Sequence, residues 1–124
     1  MPARNDAAFA FLSSRRSRPA KLFRLPVPSR DELTEILAAA VRVPDHGKLE
    51  PWRLVVLEGP AFPRLADLAE ARARELDGDE EKIAKGRGQY DLGKLAVVVI
   101  ASPKPSPKIP PVEQQMSAAA LCFG

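Results

Sequence analysis

The chain has 124 residues, 45% of them hydrophobic and 28% charged, which suits one soluble domain with its own core and excludes a disordered or collagen-like chain. A single cysteine, Cys122, rules out an intrachain disulfide, and a formal net charge of +3 is modestly basic, its excess near the N-terminus, a cluster that can serve nucleic acid, an acidic membrane surface or a phosphorylated small molecule or be merely solvated. The longest purely apolar run, residues 95–101, is far shorter than a bilayer requires, and no apolar core of signal-peptide type opens the chain, so a cytoplasmic protein with no membrane partner is the expectation.

In chain order, residues 7–14 form a short apolar segment compatible with a helix. Arg15, Arg16 and Ser17 follow, and Pro19 disfavours helix at the residue before it, so the helix should end at this basic group. Two guanidinium forks and a hydroxyl at an element end are suitable ligands for a phosphate, although such trios also arise by chance as a solvated cluster. Residues 21–28 read as an extended linker. Ser29 then provides an N-cap with Glu32 three positions on, a capping-box pattern, and Leu33, Ile36, Leu37, Ala40 and Val41 recur at helical spacing.

That helix must stop before Pro44. It runs into the stretch from Arg42 to Trp52, which contains the only histidine, His46, and the only tryptophan, with Asp45, Lys48 and Glu50 between two prolines. Loops held between a helix and a strand are where binding and catalytic groups concentrate, although a lone loop histidine is more often a hydrogen-bonding residue than a catalyst. Residues 52–57 read as a mostly buried strand, residues 61–76 as a helix, and the charged, glycine-bearing residues 77–94 as a frayed helix and a loop. Gly86, Arg87 and Gly88 lack the strand before them and the Gly-Lys-Ser/Thr after them that a phosphate loop needs. Residues 95–101 form a second buried strand, residues 102–111 a proline-rich extended connection, and residues 112–124 a last apolar helical segment. Trp52 reads as a core anchor, Met116 and Phe123 as core or dimer interface, and Cys122 as buried and inert. With one histidine and one cysteine, no metal site is expected.

Taken together and in order, Arg15-Arg16-Ser17, the capped helix, Arg42-Val43-Pro44-Asp45-His46, Pro51-Trp52 opening a valine-rich strand, Glu58-Gly59, residues 95–100 and Glu113-Gln114-Gln115-Met116-Ser117-Ala118 resemble the N-terminal portion of the nitroreductase family. The resemblance covers almost the whole chain and is nearest to small bacterial members carrying Pro-Asp-His. It implies an α+β sandwich, here one domain over residues 1–124 that is truncated at its C-terminal side, working as a homodimer with FMN at the interface. It implies FMN-dependent, ping-pong transfer of a hydride from NAD(P)H to a nitroaromatic or quinone-like acceptor. Arg15, Arg16 and Ser17 would hold the FMN phosphate and ribityl end, and Arg42 and His46 would reach the flavin of the other subunit. No side chain is required as an acid or base. Two other readings stay open: a non-catalytic flavin- or nucleotide-binding remnant of the same fold, and a small basic nucleic-acid binder. The second is disfavoured because aromatic residues make up only 6% of the chain and, of these, only Phe23 lies within the basic run from Arg15 to Arg24.

Overall fold

Every backbone donor in the first helix turn needs a partner, and in three of the helices an Asn, Ser or Asp side chain supplies one. The computed structural model describes residues 3–123. Helix α1 spans Asp6–Ser14, with Asn5 accepting from the Ala8 N–H, and ends at Arg15. Helix α2 spans Arg30–Ala40. Its capping box is complete: Ser29 Oγ accepts from the Glu32 N–H at 3.3 Å, and the Ser29 N–H donates to Glu32 Oε2 at 2.7 Å. That donated backbone bond, with the serine hydroxyl, holds the Glu32 carboxyl below its ordinary value. Between the two helices the linker is not wholly extended, since a 3-10 turn forms over Ala20–Leu22.

Strands β1 (Trp52–Leu57) and β2 (Ala96–Ala101) pair antiparallel, with Trp52 opposite Ala101 and Leu57 opposite Ala96. Between them run α3 (Ala61–Glu75) and α4 (Glu80–Asp91), packed closely as a hairpin. Helix α5 spans Pro111–Leu121 and lies on β2. Its buried positions Gln114, Ser117, Ala118 and Leu121 recur at helical spacing and form one face. The mixed α+β class expected from the sequence is the class observed. Among the described residues, no helix is long and apolar enough to cross a membrane.

Four expectations are corrected. The segment read as a frayed helix and loop is a regular helix, α4. Asp79 caps it by accepting from the Lys82 N–H at 2.8 Å, and Arg87 clamps it to α3 through Asp67 at 2.8 Å and Glu70 at 2.9 Å. Gly86 and Gly88 therefore lie inside a helix, which removes any phosphate-loop reading. The turn between α3 and α4 closes by the Schellman pattern, with Gly78 N–H donating to the Ala73 carbonyl and Asp77 N–H to that of Arg74. Both strands, read as mostly buried, are only half-covered: in a two-stranded sheet each is an edge strand, and Val55, Val56 and Val98 are exposed. Cys122, read as buried, is exposed at the end of α5. Trp52, read as a core anchor, is only half-buried, while Met116 and Phe123, 66% and 75% exposed, keep the interface alternative of their reading.

Small side chains set the tightest contacts. A Cβ on Gly93 would sit 2.1 Å from the Phe62 ring, so the glycine lets the buried Phe62 ring of α3 lie directly on the backbone leading into β2. The proline-rich segment between β2 and α5 has no ladder of its own, and the buried Gln114 fixes it. Gln114 Oε1 accepts from the Lys104 N–H at 2.7 Å, while Nε2 donates to the Lys104 carbonyl at 2.9 Å and the Ile109 carbonyl at 3.3 Å. Ser106 Oγ accepts from the Ile109 N–H at 3.1 Å in the same segment.

Candidate functional site

The stretch between α2 and β1 is a tightly wound loop. Gly47, Lys48 and Glu50 all have left-handed φ values, 72°, 51° and 47°. For the two non-glycine residues this costs roughly 1 kcal/mol or more each, so the surroundings must enforce it. Asp45 does much of this: its carbonyl accepts from the Lys48 N–H at 3.1 Å, and its Oδ2 accepts from the Glu50 N–H at 2.7 Å. Pro51 is fully buried, and its carbonyl accepts from the Ser102 N–H at 2.8 Å, tying the loop's far end to the strand pair. Ile109 braces the near end, since a Cβ on Gly47 would lie 2.5 Å from its Cδ1. The backbone carrying His46 is thus held by its own aspartate and by the segment that Gln114 secures.

His46 Nδ1 lies 2.8 Å from Glu113 Oε2 in the first turn of α5. An ionised carboxylate can only accept, so against one this contact requires the hydrogen on Nδ1. The pair is partly exposed, with side-chain exposures of 64% and 46%, and stands on the wall of an open cleft of about 320 Å³ lined by Pro44, His46, Glu113, Met116, Ser117 and Ala120. Arg42 is exposed just upstream of this loop, with no side-chain hydrogen bond or ion pair among the described residues. A larger apolar cavity of about 590 Å³, lined by Phe23, Phe62, Leu92 and Leu95 among others, contains none of the five expected site residues.

Arg15, Arg16 and Ser17 are exposed where α1 ends. Arg16 Nη1 donates to the Arg15 carbonyl at 3.0 Å, and Arg15 Nη2 approaches the Phe123 carbonyl at 3.5 Å, the long edge of a hydrogen bond. Among the described residues no carboxylate pairs with either guanidinium, so their donors are available to an anion. The chain therefore assembles two groups rather than one. Arg15 meets the C-terminal end of α5 and His46 meets its N-terminal end, roughly 15 Å away by helical rise. No hydrogen bond joins the two groups among the described residues. Glu113 lies 67 positions from His46, and no local sequence pattern links them.

The family model described as Nitroreductase family matches residues 12–123. The chain is 34% identical over 118 residues to "Putative NAD(P)H nitroreductase" of Haemophilus influenzae, covering 94% of this chain and 63% of that protein. It is 34% identical over 111 residues to "Putative NAD(P)H nitroreductase YdjA" of Escherichia coli K12, covering 90% and 60%. The fold is similar to that of a nitroreductase-like family protein from Bacillus cereus, with a TM-score of 0.70 at 24% identity over 99% of this chain and 63% of that one. The chain thus spans about three-fifths of the length of the relatives it matches, and over that span it belongs to the nitroreductase family.

Proposed function

We propose that this chain forms a single domain of an FMN-dependent oxidoreductase that moves reducing equivalents from NAD(P)H to a nitroaromatic or quinone-like acceptor, acting as a homodimer in the cytoplasm. The observation that carries the reading is family membership over residues 12–123. The chemistry of the donor set supports it. Arg15, Arg16 and Ser17 offer two guanidinium groups and a hydroxyl, unneutralised by any carboxylate among the described residues, which complements the phosphate of FMN. When bound, FMN supplies the hydride chemistry itself, alternately accepting from the nicotinamide and giving to the acceptor. The protein's share is binding and orientation: the N-terminal trio holds the phosphate and ribityl end, and Arg42 and His46 face the flavin held by the partner copy. The separation of the two groups along α5 supports their serving different parts of the cofactor. The exposed Phe9, Phe11 and Leu12 on α1, and Met116 and Phe123 on and beyond α5, give apolar surface for a second copy to cover.

The test is to titrate the purified chain with FMN, following flavin fluorescence, and then to assay NAD(P)H oxidation with a quinone and with a nitroaromatic acceptor. Saturable binding followed by acceptor-dependent NAD(P)H oxidation is the expected result. A titration in which flavin fluorescence shows no saturable change overturns the reading, and binding without any NAD(P)H oxidation overturns its catalytic half.

A further inference from the structure

The family reading uses His46 but says nothing of what sets its imidazole, and Glu113 has no part in it. We propose that Glu113 is a positioning residue for His46: it holds the ring as the Nδ1–H tautomer and so leaves Nε2 as the one ring nitrogen free to meet a ligand in the cleft. This rests on the reading that His46 faces the flavin site.

Three observations carry it. The first is the contact itself, with Nδ1 2.8 Å from Glu113 Oε2. A histidine's free nitrogen is determined by what its other nitrogen bonds. Second, both partners stand on backbone that is already fixed. His46 precedes Gly47, whose left-handed φ of 72° is enforced against Ile109, and Glu113 precedes Gln114, which is buried and bonded to Lys104 and Ile109. Ile109 is common to both supports, so the pair's geometry is set by one packed unit rather than by two free side chains. Third, the pair borders an open cleft of about 320 Å³ in which the exposed Met116 of the same helix also lies. The ligand edge this arrangement recognises follows from the tautomer. While the ring is neutral, Nε2 carries a lone pair, so it accepts from an N–H or O–H on the rim of a planar ligand and does not bond a carbonyl there.

The test uses the fact that His46 is the only histidine in the chain, so its ring gives one nitrogen spin system. Long-range ¹⁵N–¹H spectra are recorded on the whole chain above about pH 8.5, two units past the ordinary histidine value. The wild type is expected to show protonated Nδ1 and bare Nε2. Glu113→Gln keeps an acceptor oxygen and should keep that tautomer, whereas Glu113→Ala should move the proton to Nε2. Bare Nδ1 in the wild type overturns the proposal without any variant, as does a Glu113→Ala spectrum identical to wild type. FMN titration of the same samples forms the second arm. Affinity should fall roughly three- to tenfold in Glu113→Ala and stay near wild type in Glu113→Gln. Equal affinities across all three, with the tautomer moved, overturn the positioning role. If none of the three binds FMN, it is the flavin reading that fails, and the nitrogen spectra still decide whether Glu113 sets the ring.

Discussion

Replacing Gln114 with methionine removes a polar scaffold at nearly constant volume. Its three hydrogen bonds, one accepted from Lys104 and two donated to Lys104 and Ile109, all go to a segment with no secondary structure. Each is worth roughly 0.5–1.5 kcal/mol net, and a buried group left without a partner costs about 1–3 kcal/mol. Lys104 is exposed, so water recovers part of the loss there, but the Ile109 carbonyl belongs to a buried residue. A destabilisation of about 2–3 kcal/mol follows, equivalent to a drop of roughly 10 °C in Tm for a chain of this size. Gln114→Glu should cost more, because it keeps the bond from Lys104 N–H but turns a carboxylate oxygen towards two carbonyls. Urea unfolding followed by circular dichroism measures both, with the m-value expected to hold. Hydrogen exchange should also quicken at Gly47 and Lys48, since Ile109 loses its anchor. A Gln114→Met variant within about 0.5 kcal/mol of wild type, with unchanged exchange in that loop, would refute the scaffold argument.

Gly47→Ala should cost about 1–2 kcal/mol by thermal unfolding, because an alanine is strained at φ 72° and its Cβ pushes into Ile109. Arg87→Ala should lower the unfolding midpoint by loosening α4 from α3, with the difference shrinking as salt rises to about 1 M. Glu70 is held below its ordinary 4.5 by hydrogen bonds first from Arg74 and then from Arg87. Its contribution is therefore present above 4.5 and is lost as pH falls through the lower folded value, so Glu70→Gln should flatten that part of an acid-unfolding curve. Under the flavin reading, Arg15→Ala with Arg16→Ala should weaken FMN binding roughly ten- to hundredfold by fluorescence titration. Phe9→Ser with Phe11→Ser should shift sedimentation towards the monomer if α1 lies in the dimer contact.

What could be read from the sequence was what short-range chemistry decides. Ser29 and Glu32 announce α2 because their bonds close within one helical turn, and the valine-rich runs of β1 and β2 carry their own β preference. Helix α4 could not be read so easily. Two glycines argue against it locally, and what overrules them is Arg87 reaching 20 positions back to Asp67 and 17 to Glu70. The half-exposure of the strands was equally hidden, since residue type does not say how many faces of a sheet are covered. At the site, His46 stood out by being the only histidine, and Arg15 to Ser17 by their clustering. Glu113 did not stand out among the 16 acidic residues, because only the fold brings it to His46. The left-handed Lys48 and Glu50 gave no sign at all, as neither is a residue type that favours that conformation.

Glu113 and Gln114 are adjacent in α5, yet one serves the cleft and the other the interior. Each heads its own stripe: Glu113, Met116 and Ala120 towards the cleft, and Gln114, Ala118 and Leu121 against the body of the protein. The stripes differ by one step of the helical screw, about 100°. A single residue inserted between Pro111 and Glu113 would turn the helix by that step if its ends stayed anchored. The acidic side chain would then be driven inward and the amide outward, so the loss of the scaffold and the loss of the histidine's partner would come from the same mutation. The register of the first turn of α5 is for that reason held to the residue, even though the proline-rich segment before it looks permissive.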